Sequence, residues 1–353
     1  MIYRYVQLVI LSCIAAGLLL AVVNNTTFAA GVVVRAENFI VPPSTGPLTH
    51  ILVRNTADRP CTVTIQPRFP DGWQWTPRHR TVTMEPNQVQ RLPFTIEKAT
   101  DVESNRYPVE IAIIEGIQRM VHRQDLACAS APYFKPKIDG KFKDWSESIP
   151  VTFTTDGKKT VISTYWNKQN FCLYVQVEED ELRSYKKKSG LIDGVQFALA
   201  QRKAVTASLA TAGAQRYEFL VVNFEGFFAK DKCFFLIKPG VKLSVTQERR
   251  PLETLELKEA PVVVKWKGGT THYECAIPFS VMPGIKPDVG REIQFSILVH
   301  DPDGTGVRDL GKAAGLWPER RNKFAWCAGD WRELSGDAPY DSKIEWGLCS
   351  SKH

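Results

Sequence analysis

The sequence predicts an all-β protein of two sandwich domains behind an N-terminal export segment, and three observations predict it. After residue 30, apolar and polar residues alternate over short runs, as they must on half-buried strands. Pro, Gly, Asn and Asp interrupt those runs about every ten residues, the rhythm of antiparallel sandwiches. Helical periodicity is nearly absent from the rest of the 353 residues, a length that accommodates roughly two or three domains.

The export segment comes first. Arg4 precedes an apolar run from Val6 to Val23, interrupted by Gln7, Ser12 and Cys13, and Phe28-Ala29-Ala30 supplies small residues suited to cleavage. Residues 1–30 therefore read as a signal peptide, and the mature chain is expected to be secreted, periplasmic or on the cell surface. The run also matches the ~20 residues that span a bilayer, so an uncleaved anchor is the alternative. A membrane partner follows only in that case.

Charge and cysteines exclude several function classes. The net charge of +7 is thinly spread. Its densest runs, Lys186-Lys187-Lys188 and Arg249-Arg250, lack the interleaved aromatics of a nucleic-acid site, so both read as solvated faces and no nucleic-acid partner is expected. Beyond Cys13 lie Cys61, Cys128, Cys172, Cys233, Cys275, Cys327 and Cys349, an odd set without CxxC or Cys/His spacing, which argues against zinc. Cys172 and Cys275 lie in apolar strands and read as buried thiols. Cys61 and Cys128, which flank one domain, are expected to form a bridge in an oxidising compartment.

Residues 31–129 form the first expected domain. Its strands are His50 to Thr56, Cys61 to Gln66, Arg80 to Met84 and Gln88 to Ile96. Pro70-Asp71-Gly72-Trp73, Pro77, Glu85-Pro86-Asn87-Gln88 and Tyr107-Pro108-Val109-Glu110-Ile111 complete the pattern. Together these resemble the Ig-like domains appended to bacterial alpha-galactosidases and other glycan-active proteins. Trp73 and Trp75 read as packing on the sandwich, with a sugar platform as the other reading. Ser130-Ala131-Pro132-Tyr133-Phe134-Lys135-Pro136 is expected to be a short, stiff linker. A fragment beginning near Pro132 is then expected to fold alone.

Residues 137–353 form the second domain, a two-sheet, jelly-roll-like sandwich. Ile138-Asp139-Gly140-Lys141 leads into Asp144-Trp145 and then a hairpin, Thr160 to Trp166 and Phe171 to Val177, around Asn167-Lys168-Gln169-Asn170. Asp180 closes that strand, and Ile192-Asp193-Gly194 opens the next, where Val195, Phe197 and Leu199 face opposite to Gln196, Ala198 and Ala200. Gly268-Gly269-Thr270 joins Val262 to Trp266 with His272 to Ile277. Ile277-Pro278-Phe279 and Phe295 to Asp301 follow. In this order the motifs resemble the family 9 carbohydrate-binding modules, a DOMON-like sandwich.

The resemblance implies a glycan or polysaccharide partner and a site in which aromatic rings stack on sugars. Trp317, followed by Pro318, falls where the family places one stacking tryptophan. Gly190-Leu191 stands where its partner belongs, with Tyr185 the nearest aromatic. Gln196 occupies the position of an acidic hydrogen-bonding residue, and an amide still donates and accepts. The family's arginine on the next strand has no counterpart between Tyr217 and Asn223. Structural calcium, implied by some family members, would draw on Asp180 and Asp193, with an empty loop as the other reading. Asp301-Pro302-Asp303-Gly304 reads instead as a strand-end turn.

No Gly-x-Ser-x-Gly elbow, His-Glu-x-x-His or phosphate loop is present, so the chain reads as non-enzymatic, with an accessory role beside glycoside hydrolases. The leading expectation is a secreted carbohydrate-binding protein of polysaccharide recognition or breakdown. The alternatives are a cell-surface scaffold, partnered by other surface proteins, whose module has lost its sugar, and a haem- or other small-ligand-binding sandwich.

Overall fold

A computed structural model describes residues 31–185, 192–202, 216–224, 230–239, 252–316 and 343–352. The signal segment, Leu191 and Trp317 lie outside the described residues. Almost every element is a strand, and the strands fall into four sheets, as the alternation predicts.

The first two sheets share one core. Strands β1 (Val32–Ala36), β2 (Leu48–Asn55), β6 (Val89–Lys98) and β4 (Gln74–Thr76) run in the order β1-β2-β6-β4. Strands β3 (Cys61–Arg68), β5 (Arg80–Met84), β7 (Tyr107–Glu115) and β8 (Gln118–Leu126) run as β5-β3-β7-β8. Along β3 burial alternates strictly, so Cys61, Val63 and Ile65 enter the core and the threonines between them face out. Trp73 lies in that core, stacked on Phe69 at 6.1 Å, while the Trp75 ring meets the Phe69 edge at 5.3 Å and carries Arg78 over its face. Neither ring stands as an open sugar platform.

The second pair of sheets is larger. Strands β10 (Val151–Thr155), β11 (Lys158–Trp166), β12 (Asn170–Glu178), β17 (Thr270–Pro278) and β16 (Val262–Trp266) form one sheet in that order. The other runs from β15 (Lys232–Ile237) through β14 (Arg216–Val222), β13 (Gly194–Gln201), β18 (Arg291–Asp301) and β20 (Ile344–Leu348) to β9 (Ser130–Ala131), with β19 (Gly306–Asp309) beside β18. The Asn167 carboxamide oxygen accepts from the amides of Gln169 and Asn170 and so shapes the β11–β12 turn. Gly268 and Gly269 both adopt positive φ, which a two-residue hairpin turn requires. Between the sheets lie Phe171, Leu173 and Val175 of β12, Val195, Phe197 and Leu199 of β13, and Phe295, Ile297 and Val299 of β18. Trp166 joins this core, whereas Trp145 packs on the outer face of the first sheet with Tyr165 and Tyr174. Its indole N–H donates to Glu274 at 2.8 Å.

Two expectations are corrected. Cys61 and Cys128 form no bridge: Cys61 faces the first core opposite Met84, Cys128 lies where residue 39 pairs with the chain, and both are free thiols. Cys172 and Cys275 are also buried thiols, and they occupy opposite faces of their sheet. The stretch expected to be a linker is partly strand. Ser130–Ala131 pair in parallel with Gly347–Leu348, and Phe134 donates its amide to the Trp166 carbonyl at 2.9 Å. This short segment thus passes from one sheet to the other, and pairing demands fix its path.

The junction between the domains is hydrogen-bonded and charged. Phe39 bonds through its backbone to Ala127 and Ala129, and the Asn105 side chain donates to the carbonyls of Cys128 and Pro150. Arg35 makes two bonds to Glu345, at 2.6 and 3.1 Å, with both side chains buried. Glu37 accepts from Arg91 of the first domain and Arg202 of the second, and both arginines also reach Glu292. The approach is close enough that a Cβ at Gly347 would overlap the Ile40 carbonyl.

Candidate functional site

Pairing of β13 with β14 and β18 assembles a polar row on the face turned away from the core. Register places Gln196 beside Leu220 and Leu298, Ala198 beside Glu218 and Ser296, Ala200 beside Arg216, and Gly194 beside His300. All of these side chains share the outward parity of Gln196. Arg216 donates from Nε to Glu218 at 2.8 Å, the Gln196 amide donates to the other Glu218 oxygen at 2.7 Å, and His300 Nε2 lies 2.8 Å from Gln196 Oε1. Each of the four is at most 1% exposed.

The bonding sequence fixes the proton positions. A carboxylate only accepts, so Gln196 turns its NH2 toward Glu218 and its oxygen toward His300. His300 must then carry a proton on Nε2. Burial lowers its pKa to about 3, so the ring is the neutral tautomer at ordinary pH. The row therefore offers a guanidinium, an amide, an imidazole and a carboxylate along one strand-crossing line.

Tyr185 lies on the same outward side. Its ring packs against Phe224 at 4.7 Å within an apolar cluster of Ile192, Leu220, Val222 and Phe234, and its hydroxyl donates to Glu253 at 3.2 Å. Leu220 links that cluster to Gln196 through the β13–β14 register. The structure thus brings Tyr185 and Gln196 to one face, while Leu191 and Trp317 fall outside the described residues. Arg216 stands one residue before the window from Tyr217 to Asn223 in which an arginine was sought. Together with Glu218 and His300 it was missed. The signal available was parity: Arg216 and Glu218, two residues apart, and Ser296 and His300, four apart, each put polar residues on one face of an otherwise apolar strand.

A second cluster forms where β12 and β18 end and β13 begins. Glu179, Asp193 and Asp301 are buried, and their ligand atoms lie within 4.8 Å of one another. Asp180, expected beside Asp193, is turned out to solvent and pairs with Lys158 at 2.8 Å. The reason is alternation. Phe171, Leu173, Val175 and Val177 point inward, so Glu179 follows them and Asp180 cannot.

The three carboxylates differ in their partners. Burial raises Glu179 to about 8, and Asp193 to about 7 even though it accepts the Arg183 amide. Among the described residues neither Glu179 oxygen, nor Oδ1 of Asp193, makes a hydrogen bond of ordinary geometry, and the nearby Thr271 hydroxyl offsets only part of the rise at Glu179. Burial would raise Asp301 too, but the Thr305 amide and hydroxyl and the Arg308 guanidinium outweigh it and hold Asp301 below its ordinary value. Those same bonds close the strand-end turn read in the sequence. Orphaned buried carboxylate oxygens this close together fit a hard cation such as calcium, which takes oxygen ligands.

No family model and no curated protein matches the chain. Among solved structures it is similar to a family 9 carbohydrate-binding module from Caldicellulosiruptor kristjanssonii in complex with cellotriose, at 14% identity and a TM-score of 0.37, over 63% of this chain and 93% of that one. A family 9 module from the same organism in complex with glucose aligns at 16% identity and a TM-score of 0.31, over 49% and 77%. A FixG-related protein from Vibrio parahaemolyticus aligns at 14% identity and a TM-score of 0.22, over 28% of this chain and 94% of that chain.

Proposed function

We propose that this is an exported, non-catalytic carbohydrate-binding protein whose binding surface is the outer face of β13, β14 and β18. The observation that carries the reading is the row Arg216, Glu218, Gln196 and His300, a buried polar line turned away from the domain core. A sugar would reach it only by exchanging its hydroxyls for bonds these side chains already make. Sugar hydroxyls donate and accept at once, and neighbouring hydroxyls are matched by a line that alternates the two capacities. Trp317, by the family resemblance, would supply a stacking ring. Calcium held by Glu179, Asp193 and Asp301 would act structurally, replacing two carboxyl protons and tying the ends of three strands together. The second reading, a scaffold with no sugar, is favoured by one observation: the four side chains already bond to one another.

A glycan array followed by calorimetry decides between them. Wild type is expected to bind weakly, and Trp317→Ala to remove most of the affinity because an aromatic anchor dominates such contacts. Leu191→Trp should add a second wall and tighten binding by about 1 kcal/mol. Failure of both wild type and Leu191→Trp to bind any plant, algal or bacterial glycan would establish the scaffold reading.

A further inference from the structure

The opposite side of β14 borders a cleft that takes no part in the polar row. It opens between β14, β15 and the turn after β17, with a volume of about 560 Å³. Tyr217 and Phe235 form its aromatic wall and Leu257 its apolar depth, while Lys238, Glu259 and Ser280 stand exposed at the mouth.

The aromatic wall is rigid before any ligand arrives. Phe235 is half-buried, stacks on Phe219 with centroids 4.7 Å apart, and leans on Tyr217 at 6.4 Å. The Lys238 ammonium lies over the Phe235 ring, 5.2 Å from its centroid. The Tyr217 hydroxyl accepts the Gly284 amide at 2.8 Å, which orients the ring and leaves its own proton to donate. Phe219 covers one face of Phe235 and the Lys238 ammonium lies over the ring, so a ligand would take the outer face by displacing the exposed ammonium, against rings already held in place.

We infer that this cleft is a second ligand site, which takes one neutral pyranose ring against Phe235 and Tyr217. The chemistry of the mouth selects the class. Lys238 and Glu259 balance each other, so the mouth carries no net charge to favour an ion of either sign, and an alkyl chain would strip water from both without replacing the bonds. A neutral polyhydroxylated ring presents C–H groups to the aromatic wall and hydroxyls to Lys238, Glu259, Ser280 and the Tyr217 proton. The volume accommodates a ring of that size with bridging water. The inference shares its ligand class with the proposed function but none of its residues.

Saturation-transfer NMR on the full chain tests it, with the methyl glycosides of glucose, galactose and mannose as probes. The double variant Lys238→Ala, Glu259→Gln alters only exposed side chains and should keep the thermal unfolding of wild type. It should weaken one set of contacts about fivefold, the range of an aromatic-backed polar contact. Val281→Trp, on the cleft wall, should abolish that same set by filling the space. Wild-type binding in both variants overturns the inference, as does the absence of any wild-type signal. If Trp317→Ala removes all binding and the cleft variants remove none, the cleft inference falls and the outer-face reading stands. If the cleft variants remove all binding and Trp317→Ala none, the cleft stands and the outer face is excluded.

Discussion

Arg308 is wholly buried, and its guanidinium donates to the Asp301 carboxylate, to the Glu178 and Lys159 carbonyls and to the hydroxyls of Thr160 and Thr305. It ties β19 to the ends of β11 and β12 and supplies the positive charge facing three carboxylates. Arg308→Met should lower stability by about 3–5 kcal/mol, because Asp301 would keep its charge in the interior with the Thr305 bonds but without an opposite charge. Denaturant unfolding with an unchanged m-value would check this, and a loss below about 1 kcal/mol would sink it. At this scale the sequence was legible wherever alternation was followed through. Gln196 was placed on the outward face by that rule, and the same rule applied past Val177 selects Glu179 over Asp180. The metal position was instead read from a resemblance that bracketed the loop by its aspartates. Arg216 escapes because the window from Tyr217 to Asn223 starts one residue after it, and β14 begins at Arg216 itself.

The hairpins show what short-range chemistry does settle. Asn167 at one turn and Gly268-Gly269 at another set their registers locally, so their strands were legible to within a few residues. Strand β9 was not, since two residues carry no periodicity and its partner β20 lies more than two hundred residues away. The carboxylate cluster is a property of three strand ends, and its pH dependence follows from the direction of each shift. Glu179 and Asp193 hold protons in the folded chain that they release when unfolded. With the cation chelated, their contribution to stability is complete below about pH 4 and is lost as pH rises toward 7 to 8. Asp301 behaves oppositely, and its contribution is lost as pH falls through its lowered value. Calcium must displace the two protons, so the rise in Tm that it causes over a chelator should be larger at about pH 8 than at about pH 5. Equal melting curves with calcium and chelator at both values would remove the cation from the account.

Across the whole molecule, the two domains meet through paired backbone and buried charge rather than across a free tether. The composition of residues 130–136 suggested a linker because two prolines and no repeat look alike in a tether and in a strand crossing. A fragment that starts at Pro132 loses β9 and bares the edge of β20. A fragment that starts at Ala127 keeps that strand and should unfold more cooperatively in calorimetry; identical transitions would mean that β9 adds nothing. Either fragment exposes Glu345 without Arg35, so both should melt below the full chain. The cysteines give this architecture a clock. Six described thiols are buried, and burial raises the pKa of each, so a thiol-directed reagent reaches none of these six while the chain is closed. Cys61 reports on the first core, Cys172, Cys233 and Cys275 on the second sandwich, and Cys128 and Cys349 on the seam between them. The order in which these sulfurs become labelled under mild denaturant is the order in which the molecule comes apart, recorded by its own atoms without an added probe.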